Sequence, residues 1–296
     1  MRLPAKVNRL VGQAMHDYGM LADGDRVLVA VSGGVDSLVL LQLLFFWQRK
    51  APVRYQLLPV HVDMQGEMKG ENAGPSAAAA AIRDELARHG VALSIVQGQR
   101  DGNTALSSDV AGNPLHPESC FVCARARRAC LFDEARKLNC NKIAFGHHQD
   151  DLIETFLLNL TCAGNISTMR PRQDIFAGQL ALIRPLAYVE KQDIEQIARQ
   201  NGLQAVPSSC PLAGQTRRED MHALATEIYS RIPGAKKHIF SALANVRADY
   251  LLAGRQEALA EHRVKSTKRA HRCPSEPNEE CHGTASGRTH FSDPGR

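Results

Sequence analysis

Residues Arg26–Ser37 read RVLVAVSGGVDS. Valine, leucine and alanine run to Val31 as a buried strand would. Ser-Gly-Gly then breaks the run, and LVLLQLLFFW, Leu38 to Trp47, follows as an apolar helical stretch. A buried strand, a glycine turn and a helix in that order gather backbone N–H groups into a concave nest. The glycines allow positive φ and close backbone approach, and the helix N-terminus adds partial positive charge. The turn lacks the Gly-Lys-Ser/Thr of a Walker P-loop. Ser32 and Ser37 offer hydroxyl donors, and Asp36 sits where a carboxylate can hold Mg²⁺ against a pyrophosphate. Gly33 and Gly34 alone would serve equally for a tight strand-to-helix turn; the whole SGGVDS hexapeptide after a buried strand is more specific.

Outward from this turn, strand and helix signals alternate. Strands are expected at Arg26–Val31, Tyr55–Val62 (interrupted by Pro59), Val91–Gln97 and Lys142–Phe145. Helices are expected at Ser37–Trp47, Ala77–His89, Ser119–Leu138 and Asp150–Leu160. This rhythm predicts an α/β fold, a doubly wound parallel sheet with helices on both faces and ligands at the carboxyl ends of its strands. From Lys191 the signals turn helical: KQDIEQIARQNG, then Thr216–Arg231, then Ala235–His262. Beyond His262 the chain is poor in apolar residues and rich in Pro, Gly, Ser and charge, a composition expected of a disordered tail. The expected organisation is thus a nucleotide-binding domain over 1–212 with an N-terminal helix, a helical segment over 213–262 and a tail over 263–296.

The 296 residues are enough to bury a sizeable core, and 44% hydrophobic with 23% charged residues is ordinary for a globular enzyme. A formal charge of +5 permits a polyanionic partner without demanding one. The N-terminal MRLPAKVNRLVGQAM has no secretory h-region, and the Leu38–Trp47 run is about half of the ~20 residues a bilayer needs. A cytoplasmic protein without membrane association is expected, its eight cysteines kept as thiols, so that grouped cysteines point to metal or redox chemistry.

Cys120 and Cys123 form a C-x₂-C pair at the start of a helix, after the loop-like GNPLHPES; Cys210 lies far downstream in PSSCPLAG. Two thiolates at this spacing can chelate one metal, and a third would leave one position open. That describes a catalytic zinc or an iron–sulfur cluster with one open iron, and a redox C-x₂-C is a third reading. Cys130, Cys140 and Cys162 read as packing residues. His271, Cys273, Cys281 and His282 in the tail read as accidental clustering rather than a zinc site.

GHHQDD, Gly146 to Asp151, follows the fourth strand and opens a helix. Either aspartate could simply cap the helix, but two adjacent carboxylates at the carboxyl edge of the sheet favour a functional role for at least one. Asp150 and Asp151 are both candidates for an acid–base or Mg²⁺-assisting role. His147 and His148 are ambiguous, and His61 ends the second strand, where such folds receive adenine and ribose. Arg125, Arg127 and Arg128 follow the cysteine pair. Along one helix they can face phosphate or a nucleic-acid backbone, while Arg217, Arg218, Lys236 and Lys237 add basic character further on.

SGGVDS resembles the PP-loop of the N-type ATP pyrophosphatases. The order of PP-loop, C-x₂-C-x₃-RR, GHHxDD, IRPL and a single later Cys, over roughly Val7 to Leu251, is similar to the tRNA 2-thiocytidine biosynthesis family. The resemblance implies an adenine nucleotide alpha hydrolase-like PP-loop fold and a homodimeric enzyme that thiolates a tRNA base, most typically cytidine 32. It implies ATP, Mg²⁺ and a 4Fe-4S cluster held by three cysteines, by motif match Cys120, Cys123 and Cys210. By analogy with related thiolases, Asp151 is the preferred acid–base or Mg²⁺-assisting group with Asp150 the alternative, and Arg127 is placed to stabilise charge on an adenylated intermediate. It also implies tRNA and a sulfur donor such as a cysteine desulfurase as partners. A loop lysine aimed at a γ-phosphate is dispensable when the whole pyrophosphate departs. The turn carries Val35 where the family usually has Lys, and the last cysteine motif, SSCPLAG, differs in detail. Two other readings stand beside this one: a PP-loop ligase or amidating enzyme, which needs no sulfur carrier, and a non-catalytic iron–sulfur protein that binds RNA.

Overall fold

In the computed structural model of the chain, which describes residues 1–65, 74–98, 118–207 and 217–252 (backbone only for 118–121), the strand ahead of the glycine turn is β1 (Asp25–Ala30). It lies inside a six-stranded sheet with β2 (Tyr55–Asp63), β3 (Ser94–Gln97), β4 (Lys142–Ala144), β5 (Arg172–Ile175) and β6 (Leu180–Ile183). The spatial order is β3-β2-β1-β4-β6-β5, parallel throughout except for β5, which runs antiparallel to β6 at the edge. From β1 the chain first winds outward through β2 and β3, then returns to place β4 on the other side of β1. That reversal opens a crevice at the carboxyl ends of β1 and β4, where doubly wound sheets receive ligands.

Strand alternation divides the core. Val27, Val29 and Val31 face one layer with α1 (Ala5–Asp17), α2 (Val35–Gln48), α3 (Ala77–Arg88) and α6 (Lys191–Asn201). Leu28, Ile143 and Leu182 face the other, against Leu131 and Ala135 of α4 (Glu118–Lys137). Helix α2 is apolar nearly all round, as a helix covered on several sides must be, and Leu38 to Leu41 are wholly buried. A smaller cluster joins α5 (Gln149–Cys162) to α7 (Arg217–Arg231) and α8 (Ala235–Ala242) through Ile153, Leu157 and Ala225.

Pro59 interrupts β2 without loss to the ladder. Val60 offers its carbonyl to Val31 N–H at 2.9 Å, so the polar groups of residue 60 face β1 and those of residue 59 face the opposite side. There β3 begins to pair only at Val60, so among the described residues no strand pairs with Pro59 on that side and its missing N–H costs the ladder nothing.

The elements expected from the sequence are present with ends shifted by a few residues. The third strand is shorter than expected, starting at Ser94, and Val91 N–H instead bonds Leu86 O in the turn leaving α3. The long helix expected over Ala235–His262 stops at Ala242. The N–H groups of Leu243, Ala244 and Asn245 reach back only three residues, a tightening that ends the helix, and a 3-10 turn follows at Ala248–Tyr250. Residues 1–245 form one compact unit, and the second unit begins at Val246. The expected tail and its His271, Cys273, Cys281 and His282 lie outside the described residues. Among the described residues no helix is long and apolar enough to cross a membrane.

Candidate active site

The turn after β1 is built as a nest. Gly33 takes φ +86°, a conformation that side chains other than glycine's rarely adopt, and a Cβ there would stand 2.6 Å from Ile82 Cδ1 of α3. Gly34 caps α2, and helix geometry leaves the N–H groups of Val35 and Asp36 without partners inside the helix. The two hydroxyls are tied together: Ser37 Oγ donates to Gly34 O at 2.9 Å and accepts from Ser32 N–H at 3.2 Å, and Ser32 Oγ lies 3.2 Å from Ser37 Oγ. Val35 turns its side chain into the main core. Gly33 O accepts from Val206 N–H at 3.0 Å, which fastens the segment leaving α6 to the turn.

The loop after β4 closes on this nest from across the reversal point. Gly146 is pressed against it: a Cβ there would lie 2.9 Å from the carbonyl carbon of Asp36 and 3.0 Å from Ser37 N. His147 stacks on Phe145 at 5.6 Å, and its Nδ1 accepts from Nε of the buried Arg184 at 3.2 Å. Burial first, then the Arg184 and Arg218 charges, push the imidazole down to about 3, so His147 is neutral at physiological pH. The Arg184 bond to Nδ1 leaves the proton on Nε2. Arg184 is itself lowered by burial to about 10 and remains charged.

Asp150 and Asp151, adjacent in sequence, separate here. Asp151 caps α5 by accepting from His148 N–H at 2.9 Å, and it also lines the crevice, with Arg218 Nη1 of α7 at 3.8 Å. Asp150 turns the other way. It accepts from Lys191 N–H at 2.9 Å and pairs with Lys236 Nζ at 2.7 Å. Burial opposes its charge, but the hydrogen bonds from Lys236 and Lys191 outweigh that and hold the carboxyl below its ordinary range. Lys236 also pairs with Glu190 at 3.0 Å. It is therefore engaged within the protein rather than adding free basic character to the helical segment.

Between these loops opens a crevice of about 700 Å³. Ser32, Gly34, Asp36, Ser37 and Gly146 form one wall, with His61 and Asp63 from the end of β2 beside them. His61 Nδ1 donates to Val31 O at 2.8 Å; burial lowers its pKa, only partly offset by that bond. The Asp63 carboxylate accepts from the N–H groups of Gln65 at 2.9 Å and Ser76 at 2.6 Å, which sets the start of α3 beside the crevice. The facing wall is α4, presenting Cys123, Arg127 and Arg128; Arg125 is not part of it. Cys123 and Arg127 are four residues apart and so share a helix face.

Cys123 is a free, half-buried thiol. The side chain of Cys120 and all of Cys210 lie outside the described residues, though position 120 belongs to the first turn of α4 and Pro207, the last described residue ahead of Cys210, lines the crevice. Cys130 packs with the α4 layer, and burial raises the Cys140 thiol. Cys162, expected to pack, is exposed at the end of α5, with Arg217 Nη1 at 3.8 Å. Among the described residues no group of three or more His, Cys, Asp or Glu could hold a metal unaided.

Two participants were not singled out in the sequence: Lys191, whose Nζ stands 2.6 Å from Asp36 Oδ1, and Arg184, which supports His147. Arg218, named there only for its basic character, faces Asp151. Asp63 was likewise not named, although it carried a usable signal, a carboxylate at the carboxyl end of a buried strand.

Known proteins share this arrangement of fold and motif. Residues 3–209 match the PP-loop domain family. The chain is 38% identical over 251 residues to the tRNA-cytidine(32) 2-sulfurtransferase of Geobacter sulfurreducens, spanning 83% of this chain and 92% of that one. It is 36% identical over 255 residues to the enzyme of the same name from Syntrophotalea carbinolica, spanning 85% and 93%. In fold it is similar to the U34-tRNA thiolase of Methanococcus maripaludis, a structure that includes that protein's 4Fe-4S cluster. The TM-score is 0.59 at 21% identity, over 81% of this chain and 78% of that one. With the PP-loop domain matched across most of its length and these relatives nearly end to end, the chain belongs to the tRNA-cytidine(32) 2-sulfurtransferase family of PP-loop proteins.

Proposed function

We propose that this chain uses ATP to replace the C2 oxygen of a tRNA pyrimidine, cytidine 32, with sulfur. One observation carries the reading: the phosphate nest, a carboxylate, an arginine and a cysteine thiol all face the same crevice. A PP-loop ligase would have no use for that thiol.

The C2 carbonyl is a poor electrophile with a poor leaving group. Attack of O2 on the α-phosphorus of ATP breaks the bond to the bridging oxygen, releases pyrophosphate and leaves O2 as part of an adenylate. The nest of Ser32, Gly33, Gly34 and Ser37 receives the departing pyrophosphate, with Asp36 offering its carboxylate to Mg²⁺. A hard cation suits these oxygen donors, and Mg²⁺ ordinarily takes one or two carboxylates and completes its shell from phosphates and water. Gly146 permits the close approach of the second loop. His61 stands on the adenosine side, and Arg127 balances charge at the α-phosphate. Hydrosulfide then adds at C2, the C2–O bond breaks, AMP departs with the oxygen, and Asp151 takes the sulfur-bound proton.

Cys123 fits a cluster role as a soft thiolate donor on the crevice wall, and Cys120 and Cys210 would complete the set. A 4Fe-4S cluster bound there supplies an iron with an open position for incoming sulfide. Sulfur comes from a donor such as a cysteine desulfurase, whose persulfide is brought to the sulfide level by two cellular thiols that become a disulfide, and the protein works as a homodimer. The base leaves the anticodon-loop stack to enter. Arg217, Arg218 and Lys237, all exposed, attract the tRNA backbone.

The test is restoration of 2-thiocytidine, read by nucleoside mass spectrometry, in a strain lacking its own enzyme. The native chain restores it, and failure with abundant folded protein contradicts the proposal. Asp151→Asn lowers thiolation by about 10²- to 10⁴-fold, the range for losing a proton-transfer group. Asp150→Asn acts through stability. Its carboxyl is depressed in the fold, so the stabilisation it confers is complete above the unfolded value of about 3.9 and disappears as pH falls through the lower folded value. Melting temperatures of the native and Asp150→Asn proteins therefore differ at neutral pH and converge below about pH 4.

A further inference from the structure

Asp36 carries a feature that phosphate binding alone does not require. Its carboxylate faces the crevice, yet Oδ1 is already engaged by Lys191 Nζ at 2.6 Å. Lys191 is the first residue of α6, and its start is fixed independently of its side chain: Lys191 N–H donates to Asp150, which Lys236 holds in turn. Among the described residues, His148 Nε2 also stands 3.7 Å from Asp36 Oδ1. A cation reaching this turn therefore comes from a distant helix, while the turn's own side chain at Val35 packs into the core.

We infer that Lys191 is a place-holding cation. It neutralises Asp36 while no metal is bound, and it yields Oδ1 when a divalent ion arrives with the nucleotide. Without it, a bare carboxylate would stand among the receiving amides and repel the incoming phosphates. With it, the empty site accepts a polyphosphate, and metal and lysine compete for one oxygen. This rests on the reading of the crevice as an ATP site and makes Lys191 a positioning residue acting through Asp36.

The inference fixes opposite signs for two measurements. Lys191→Ala leaves the site one unit more negative, so ATP binds more weakly in the presence of EDTA and Mn²⁺ binds more tightly in the absence of nucleotide. The lysine side chain is 35% exposed, which limits each change to about fivefold. Lys191→Arg keeps the charge and holds both affinities within about twofold of native.

Equilibrium dialysis of ATP and Mn²⁺ titration by electron paramagnetic resonance read the two, and neither depends on turnover. Tighter Mn²⁺ with weaker ATP supports the inference. Mn²⁺ affinity that is unchanged or reduced in Lys191→Ala overturns it, because a purely structural lysine would weaken both ligands or neither. If the native chain itself binds no ATP, the assignment of the crevice fails instead, and the two failures are distinguishable.

Discussion

Cys123→Ser protein makes no thiolated tRNA, yet it binds ATP within about twofold of the native chain, because a swap of similar volume leaves the packing in place. The thiol lies on the crevice wall, away from the amide nest, and α4 keeps its contacts through Ala126, Cys130 and Leu131. Serine preserves the shape of the side chain but offers a hard, protonated oxygen where a soft thiolate is needed, so the loss falls on metal binding. Iron and acid-labile sulfide per chain, measured after anaerobic purification, fall with the activity. A Cys123→Ser protein with full iron content and native levels of 2-thiocytidine would remove this thiol from the chemistry. A colourless native protein containing zinc would replace the cluster with another metal.

Gly146→Ala protein binds ATP at least about 100-fold more weakly, the scale on which a displacement near 1 Å in a catalytic site is felt. The added methyl meets backbone atoms of Asp36 and Ser37 at 2.9–3.0 Å, and backbone cannot swing aside as a side chain can. Either the turn or the loop after β4 must shift, and both belong to the phosphate wall. Overpacking of this kind costs about 1–3 kcal/mol of stability, so the fold survives while the site does not. ATP affinity and melting temperature measured on the same preparation separate the two effects. Near-native ATP affinity would mean that the turn bears little of the nucleotide.

The fold was legible where burial leaves a strong local pattern. Strand β1, the glycine turn and α2 declare themselves because a doubly covered strand and a helix buried on several sides are both continuously apolar. The edge pair was not legible. Strand β6 has only four residues, and β5, Arg-Gln-Asp-Ile, is mostly polar with no period to read. The cysteine pair and the GHHQDD loop could be picked out because each lies at a strand end or a helix start, and Arg127 because it follows Cys123 by about one helical turn. Which aspartate of Asp150 and Asp151 faces the crevice could not be read. Adjacent helical residues point about 100° apart, and the packing of α6 and α8 decides which is which. The Lys191 contact with Asp36 joins residues 155 positions apart, a pairing for which local sequence holds no record.

Every step proposed for the crevice requires the base oxygen to become part of an adenylate before sulfur arrives. Substrate tRNA carrying ¹⁸O at C2 of cytidine 32, incubated anaerobically with the protein, ATP, Mg²⁺ and sulfide, tests this directly by mass spectrometry of the released nucleotide. The account predicts one labelled AMP and one pyrophosphate for each 2-thiocytidine formed. Unlabelled AMP, or ADP and phosphate in its place, would contradict it.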